Sequence, residues 1–563
     1  MFPGNRRTCM KIRLLCLIAL AGIATLAQAA TKPEISAARI LARTRVLASD
    51  EFEGRAPATP AEDRTVAYLV DEFKKMGLAP GNPDGTYVQA VPMFGITSTT
   101  SARITVGGRV IDLVPIRDFV GPSPRIVPHL EVKDSDVVFV GYGVTAPEFN
   151  WDDFKGVDVR GKTLVMLIND PPVPDPTDAA KLDPKVFGGA AMTYYGRWTY
   201  KYESAAAHGA AACLIVHETG PAAYPFSVVV DSRNRENFEL VAPDAGAGRA
   251  AIEGWLTLDA AQALFAAAGQ DFAKLKEAAA RRDFRPVPFA AKAGFTVDNT
   301  IRRASSRNVV ALLPGSDLKS RDEYVVYSAH WDHLGRDPRL SGDQIFNGAL
   351  DNASGVAVLL ELAQAFAALP ADGRARRSVV FLSTTAEEKG LLGARYYVQH
   401  PLHPLARTLA DLNMDVMNPL GRTADIEVCG FGGSTIDDVA AVVAREQGRV
   451  TVPDSQPEKG SFYRADHFEF AQAGVPAYYP KSGKRYLGQP DDFGQKFSDE
   501  YTAKRYHKPT DEVQPDWTME GAAQDTEFLF QVGLEIANGD HWPQWRDGSE
   551  FKAARDAMLK ASR

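Results

Sequence analysis

Apolar positions in the first part of the chain recur at spacings of three and four. Ile35, Ile40, Leu41, Val46 and Leu47 mark one helical face, and Val66, Leu69, Val70 and Phe73 mark another. Between them Glu51-Phe-Glu-Gly-Arg-Ala-Pro57 predicts a turn, and Gly77-Leu-Ala-Pro-Gly81 ends the second helix. Tyr87-Val-Gln-Ala-Val-Pro92 and Ala102-Arg-Ile-Thr-Val-Gly107 predict two strands. The texture changes near Val120, where Pro122, Pro124 and Pro128 mark a linker. Val137 to Val144 then predicts a buried strand, Asp158-Val-Arg-Gly-Lys162 a turn into another, residues 203–208 a helix and residues 211–217 a strand. From Ser306 onward strands and helices alternate. Residues 308–313, 324–329, 378–384 and 409–416 are strand-like, and 353–369, 391–398, 435–448 and 519–536 are helix-like. Such alternation predicts an α/β fold, a mixed, largely parallel sheet flanked by helices. The N-terminal helices would pack on that sheet. Residues 121–297 would then interrupt one domain built from 30–120 and 298–563.

At 563 residues the chain exceeds one ordinary domain. With 45% hydrophobic and 24% charged residues it can bury real cores and stay soluble, and no basic patch suggests nucleic acid. Arg6, Arg7, Lys11 and Arg13 precede the apolar run Leu14 to Leu26 and the small-residue site Ala27-Gln-Ala29. This predicts a signal peptide over residues 1–29 and export to a periplasm or the medium, with no stable membrane insertion after cleavage. A retained anchor is the alternative, although the run is short for a span. Removing four positive charges takes the formal charge from −8 to −12. Cys9 and Cys16 leave with this segment. Cys213 and Cys429 sit in apolar strand-like runs and are expected to be buried thiols in different domains, without a disulfide. Oligomeric state is not legible.

Five pieces carry chemistry: Ser328-Ala-His-Trp-Asp-His-Leu-Gly335, Asn347-Gly-Ala-Leu-Asp-Asn-Ala-Ser-Gly355, Thr385-Ala-Glu-Glu-Lys-Gly-Leu-Leu-Gly393, Asn413-Met-Asp415 and Arg505-Tyr-His-Lys-Pro-Thr-Asp511. The first, third and fourth follow apolar strand-like runs, and open α/β sheets build their sites at the carboxyl ends of strands. Any one piece is weak. Together they supply the imidazole and carboxylate donors of a two-zinc hydrolytic site.

At these residues the sequence resembles the zinc aminopeptidases and carboxypeptidases of peptidase family M28, over nearly all of the chain after residue 29. It is most similar to bacterial aminopeptidase-like members that carry a protease-associated (PA) domain. The Tyr-Gly tract at 142–143, the Asp-Val-Arg-Gly-Lys turn and the helix-to-strand step around His208-Gly-Ala-Ala-Ala212 resemble that β-rich PA insert. The resemblance implies a zinc exopeptidase fold, peptide substrates and two zinc ions. His330 and Asp415 would bind the first ion, Glu388 and His507 the second, and Asp351 would bridge both. It further implies that Asp332 orients His330, that Glu387 is the general base and that Tyr506 donates to the oxyanion. It also makes Asp351–Asn352 a candidate cis peptide.

Other residues take plainer readings. His333 is read as a loop neighbour, Asp466-His467 as support beneath the site, and Asp511 as a partner of His507 or a turn cap. Lys484-Arg485-Tyr486 is read as a solvated loop, with a loop that reaches the substrate pocket as the alternative. The aromatic tract Tyr194 to Tyr202 is either insert core or a lid over substrate. His-Glu-x-x-His, Gly-x-Ser-x-Gly and Gly-x-x-x-x-Gly-Lys motifs are missing. An acidic pocket that can hold a free α-amino group favours an aminopeptidase. A glutamate-type carboxypeptidase or dipeptidase is the alternative, and would need Arg197, Arg464 or Arg485 aimed at a substrate carboxylate. A non-catalytic binding protein is the third possibility.

Overall fold

Two long antiparallel strands tie the molecule together. In the computed structural model, which describes residues 33–562, Val88–Val106 pairs with Val287–Leu313, from Val88 opposite Val309 to Val106 opposite Ala291. The expected signal segment, residues 1–29, lies outside the described residues. The pattern predicts two strands where the chain forms one. The polar stretch Thr97 to Ser101 continues the ladder, each residue paired from Thr300 back to Thr296.

One end of this ribbon feeds a large mixed sheet. Its order is Val450–Pro453, Asp425–Cys429, Ala477–Ser482, Thr408–Asn413, Tyr324–His330, Ser378–Thr384 and then the ribbon. Tyr324–His330 runs parallel to both of its neighbours, and Thr408–Asn413 runs parallel to Ala477–Ser482. Ser378–Thr384 meets the ribbon antiparallel. The architecture is therefore the expected mixed, largely parallel sheet flanked by helices. Strand Ser378–Thr384 is buried along its whole length, as a sheet covered on both faces requires.

Helix Gly355–Ala367 is the central covering helix, buried around most of its circumference. Its one buried acid, Glu361, takes Arg39 and Arg43 at 2.7 Å each, which pins the N-terminal helix Ala37–Leu47 to it. Removing Glu361 would strip both arginines of their nearest carboxylate, which is costly for the buried Arg43.

The other end of the ribbon feeds a second body. His129–Phe139, Thr163–Leu167, Ala212–His217 and Ile252–Thr257 are neighbours, all parallel. Parallel neighbours need crossovers, so helices such as Trp198–Ala207 and Phe226–Arg233 lie between them. This body is thus less purely β than expected. Its core also takes in Ala102, Ile104, Val106 and Leu113, although the pattern assigns residues 30–120 to the first body. The ribbon itself makes the crossing. Cys213 and Cys429 are buried free thiols. Among the described residues no helix is long and apolar enough to cross a membrane.

Candidate metal centre

The ends of three strands and two loops meet in one cleft. His330 is the last residue of Tyr324–His330, and Glu387 and Glu388 open the short turn after Ser378–Thr384. Asp415 lies two residues beyond Thr408–Asn413, Asp351 precedes the central helix, and His507 follows helix Phe493–Lys504. Non-glycine residues with left-handed backbones sit at these positions. Ala386 (φ 52°) precedes Glu387, Val416 (φ 59°) follows Asp415, and His507 itself has φ 56°. Such conformations cost on the order of 1 kcal/mol each and recur where side chains must be aimed. The Asp351–Asn352 peptide is cis.

His330 Nε2 lies 3.4 Å from Asp351 Oδ1, 3.5 Å from Asp415 Oδ1 and 3.9 Å from Glu387 Oε2. His507 Nε2 lies 3.3 Å from Asp351 Oδ2 and 3.0 Å from Glu388 Oε2. The five expected ligands therefore converge, and Asp351 faces both imidazoles with different oxygens. Tyr506 stacks on His507 with ring centroids 3.9 Å apart, and both side chains line the cleft.

Burial and crowding set the electrostatics. Burial pushes Glu387 well above the usual carboxylate range, and Glu388, Asp466 and Asp415 add to it against His330. Burial raises Asp415 as well. For Glu388 burial is outweighed by His507 and His333, and its carboxyl falls to about 2. His330 and His507 resist burial because carboxylates surround them. Glu387, Asp351 and Asp415 hold His330 well above its ordinary value, and Glu388 and Asp351 bring His507 to about 10.

Several roles differ from expectation. His330 Nδ1 donates to the Asp332 backbone carbonyl at 3.1 Å, whereas the Asp332 carboxylate stands 3.8 Å away. That carboxylate instead accepts the backbone N–H of Glu387 at 3.0 Å and of Glu388 at 3.4 Å, so it aims the glutamate turn. His333 is more than a loop neighbour, because its Nδ1 donates to Glu388 Oε1 at 2.6 Å. Donor atoms of His333, Asp351 and Glu388 lie within 4.8 Å of one another, as do those of His330, Glu387 and Asp415. Asp511 neither touches His507 nor caps the next turn. Its carboxylate accepts the backbone N–H groups of Leu350 and Asp351 and the Tyr501 hydroxyl. Asp466 supports the strand below, accepting from Thr384.

Two residues escaped the sequence altogether. Arg55 is 1% exposed and donates to the carbonyls of Leu47, Trp331, Asn347 and Gly348, which brace both ligand loops. Ser232, from the second body, lies 3.1 Å from His507 Nδ1. Neither sits in a recognisable motif. The aromatic tract divides between its two readings. Tyr195 and Tyr200 pack on the core of the second body, while Tyr194, Trp198 and Tyr202 line the cleft beside Glu388. Arg485 pairs with Asp425 at 3.4 Å and is turned away. Lys484 and Tyr486 line the cleft rather than a solvated loop.

Residues 308–530 match Peptidase family M28, and all five expected ligands, Glu387 and Tyr506 fall inside that stretch. Over 132 residues the chain is 33% identical to aminopeptidase NAALADL1 of Mus musculus, spanning 23% of this chain and 16% of that one. Over 215 residues it is 27% identical to aminopeptidase YwaD of Bacillus subtilis (strain 168), spanning 37% of this chain and 40% of that one. Matches to these two curated relatives thus cover less than half of their length. Among solved structures it resembles an aminopeptidase from Aneurinibacillus sp. strain AM-1, at 19% identity and a TM-score of 0.48, over 89% of this chain and 94% of that one. Residues 308–530, which carry both donor clusters, are thus the stretch of this chain that is similar to peptidase family M28.

Proposed function

We propose that this chain is an exported two-zinc exopeptidase that acts as an aminopeptidase on peptides. One observation carries this reading. Asp351 presents one oxygen to His330 and the other to His507, at 3.4 and 3.3 Å, so a single carboxylate can serve two ions. His330 and Asp415 would complete one site, and Glu388 and His507 the other. Nitrogen and oxygen donors of this kind suit zinc. The residues fit cations on other grounds too. Asp415 Oδ1 is buried without a hydrogen-bond partner, and four carboxylates crowd one space. When bound, the ions supply Lewis acidity toward the scissile carbonyl and toward water.

The remaining steps belong to the side chains. Glu387 stands behind the ligand set and is held protonatable by burial. It takes a proton from the attacking water and passes it to the leaving amine. Tyr506 donates to the oxyanion, its ring held against His507. His333 and Asp332 keep Glu388 and the glutamate turn in place. Acidic groups at the cleft floor receive the substrate α-ammonium. The second body, in this reading a PA domain interrupting the peptidase domain, helps orient His507 through Ser232. Residues 1–29 direct the chain to a periplasm or the medium.

The zinc-loaded protein is expected to release the N-terminal residue from aminoacyl nitroanilides and to leave N-blocked dipeptides intact. Cleavage of only the blocked substrates would replace this reading with carboxypeptidase action. One observation favours that second reading. Arg197 is 7% exposed, its Nε has no partner, and with Arg464 it lines the lobe of the cleft beside Glu388 and His507. A substrate carboxylate would satisfy both.

A further inference from the structure

The cleft has a second lobe, which Asp415 lines. It is a cavity of about 210 Å³ whose floor is formed by Asp351, Glu387 and Asp415. Its outer wall carries Lys459, Lys481, Lys484 and Arg464. They come from separate elements: the short turn Pro457–Lys459, the end of strand Ala477–Ser482, the loop after it, and the turn after Ser461–Tyr463. None of the four forms an ion pair among the described residues. Lys481 Nζ donates to Ser461 Oγ at 2.8 Å, and Arg464 donates to the Ala222 carbonyl at 3.1 Å while its Nε has no partner.

One acid, Glu427, lines the same wall. It is 3% exposed, and burial pushes its carboxyl up. Nearby Asp454 is occupied elsewhere, accepting from Gln456 N and lying 3.5 Å from Cys429 Sγ. Four cations and one acid thus share the wall of a half-enclosed lobe, opposite three floor acids that the proposed ions would neutralise. Burial lowers the pKa of Lys459 and Lys484, with Asp499 and Glu427 respectively opposing it and like-charged neighbours adding to it, whereas Cys429, Asp454 and Glu427 outweigh burial and raise Lys481. Gathering like charges in a concave, partly desolvated wall is unfavourable by itself and concentrates a positive field there. Met417, Tyr479 and Tyr486 supply apolar surface between the cations and the floor.

We infer that this lobe is a carboxylate-binding subsite, with Lys481, Lys484 and Arg464 as specificity-determining residues, so that the preferred peptide carries an acidic group next to the scissile bond. The inference rests on the exopeptidase reading and names its substrate class. The carboxylate can be an acidic side chain or a free C-terminus, and the test separates the two.

The zinc-loaded protein is assayed on glutamyl and glutaminyl nitroanilides, which lack a terminal carboxylate, and on a neutral dipeptide and its C-terminal amide. An acidic side chain as ligand predicts at least a tenfold higher kcat/KM for glutamyl over glutaminyl. A C-terminal carboxylate predicts the same ratio for dipeptide over amide. Lys481→Met and Lys484→Met, singly and together, should lower the operative ratio about tenfold. Ratios near one in the unaltered protein, or ratios that the variants leave unchanged, overturn the inference while leaving the aminopeptidase reading intact. If no amide is cleaved, that reading fails, and calorimetry decides the subsite. Glutarate should bind at least tenfold tighter than glutaramide, with the advantage lost in the double variant. Equal binding of the two overturns it.

Discussion

Adjacent glutamates shift in opposite directions here because their surroundings differ. Glu388 meets His507 and His333 and stays ionised, whereas Glu387 is buried among other acids and retains its proton more readily. A group poised to hold and release a proton is what a general base needs, and a permanently charged one suits a cation. Glu387→Gln is therefore expected to keep its zinc, measured by elemental analysis, and to lose at least about 10²-fold in kcat. His467 lies beneath the site against the rings of Phe462 and Tyr479, both its nitrogens unpartnered, and burial pushes it down to about 3. Once unfolded it would titrate near 6.5. Between those values the unfolded chain binds a proton that the folded chain refuses, so stability falls as pH drops from about 6.5 toward about 3. The contribution is at most about 1.4 kcal/mol per pH unit. Denaturation midpoints of His467→Leu across this range should show a correspondingly flatter acid limb. An unchanged slope would mean that the buried imidazole is not the cause.

At the scale of elements, the turn Asp50–Arg55 matters more than its short length suggests. Gly54 has φ 67°, and a Cβ there would stand 2.5 Å from the Phe346 carbonyl, so only glycine lets the turn approach. That approach delivers Arg55 under both ligand loops. Burial lowers its guanidinium to about 10, opposed by Asp351, Asp511, Asp332 and Glu388. Arg55→Met leaves four buried carbonyls short of a donor and removes the cation beneath the acids. The expected loss is about 3–5 kcal/mol of stability in urea denaturation, with weaker zinc retention against a chelator. A loss under about 1 kcal/mol would mean that water replaces the guanidinium. Helices and strands after Ser306 were legible because their apolar periodicity is long and clean. The ribbon strand Val88–Val106 was not read as one strand, since its polar middle looks like a loop until the partner strand is known.

For the whole molecule, what could be read in advance was whatever sits beside a local pattern. His330, Glu387, Glu388 and Asp415 each close or follow an apolar run, Asp351 precedes one, and His507 follows a mostly polar helix. Arg55 and Ser232 reach their partners across 276 and 275 residues, with no local signal to announce them. The backbone partners of Asp332 and Asp511 were hidden for another reason. Sequence names a carboxylate near a histidine but cannot tell whether it faces the ring or a backbone N–H. Lys484 was likewise read as solvated, because charge in a loop says nothing about which side of a cleft the loop covers. Around this cleft both bodies contribute, so its chemistry belongs to the assembled chain. The most direct measurement is anomalous scattering at the zinc edge from crystals of the full chain. Two peaks are predicted, one among His330, Asp351 and Asp415 and the other among Asp351, Glu388 and His507. A single peak, or none at these residues in zinc-loaded protein, would contradict the two-ion site.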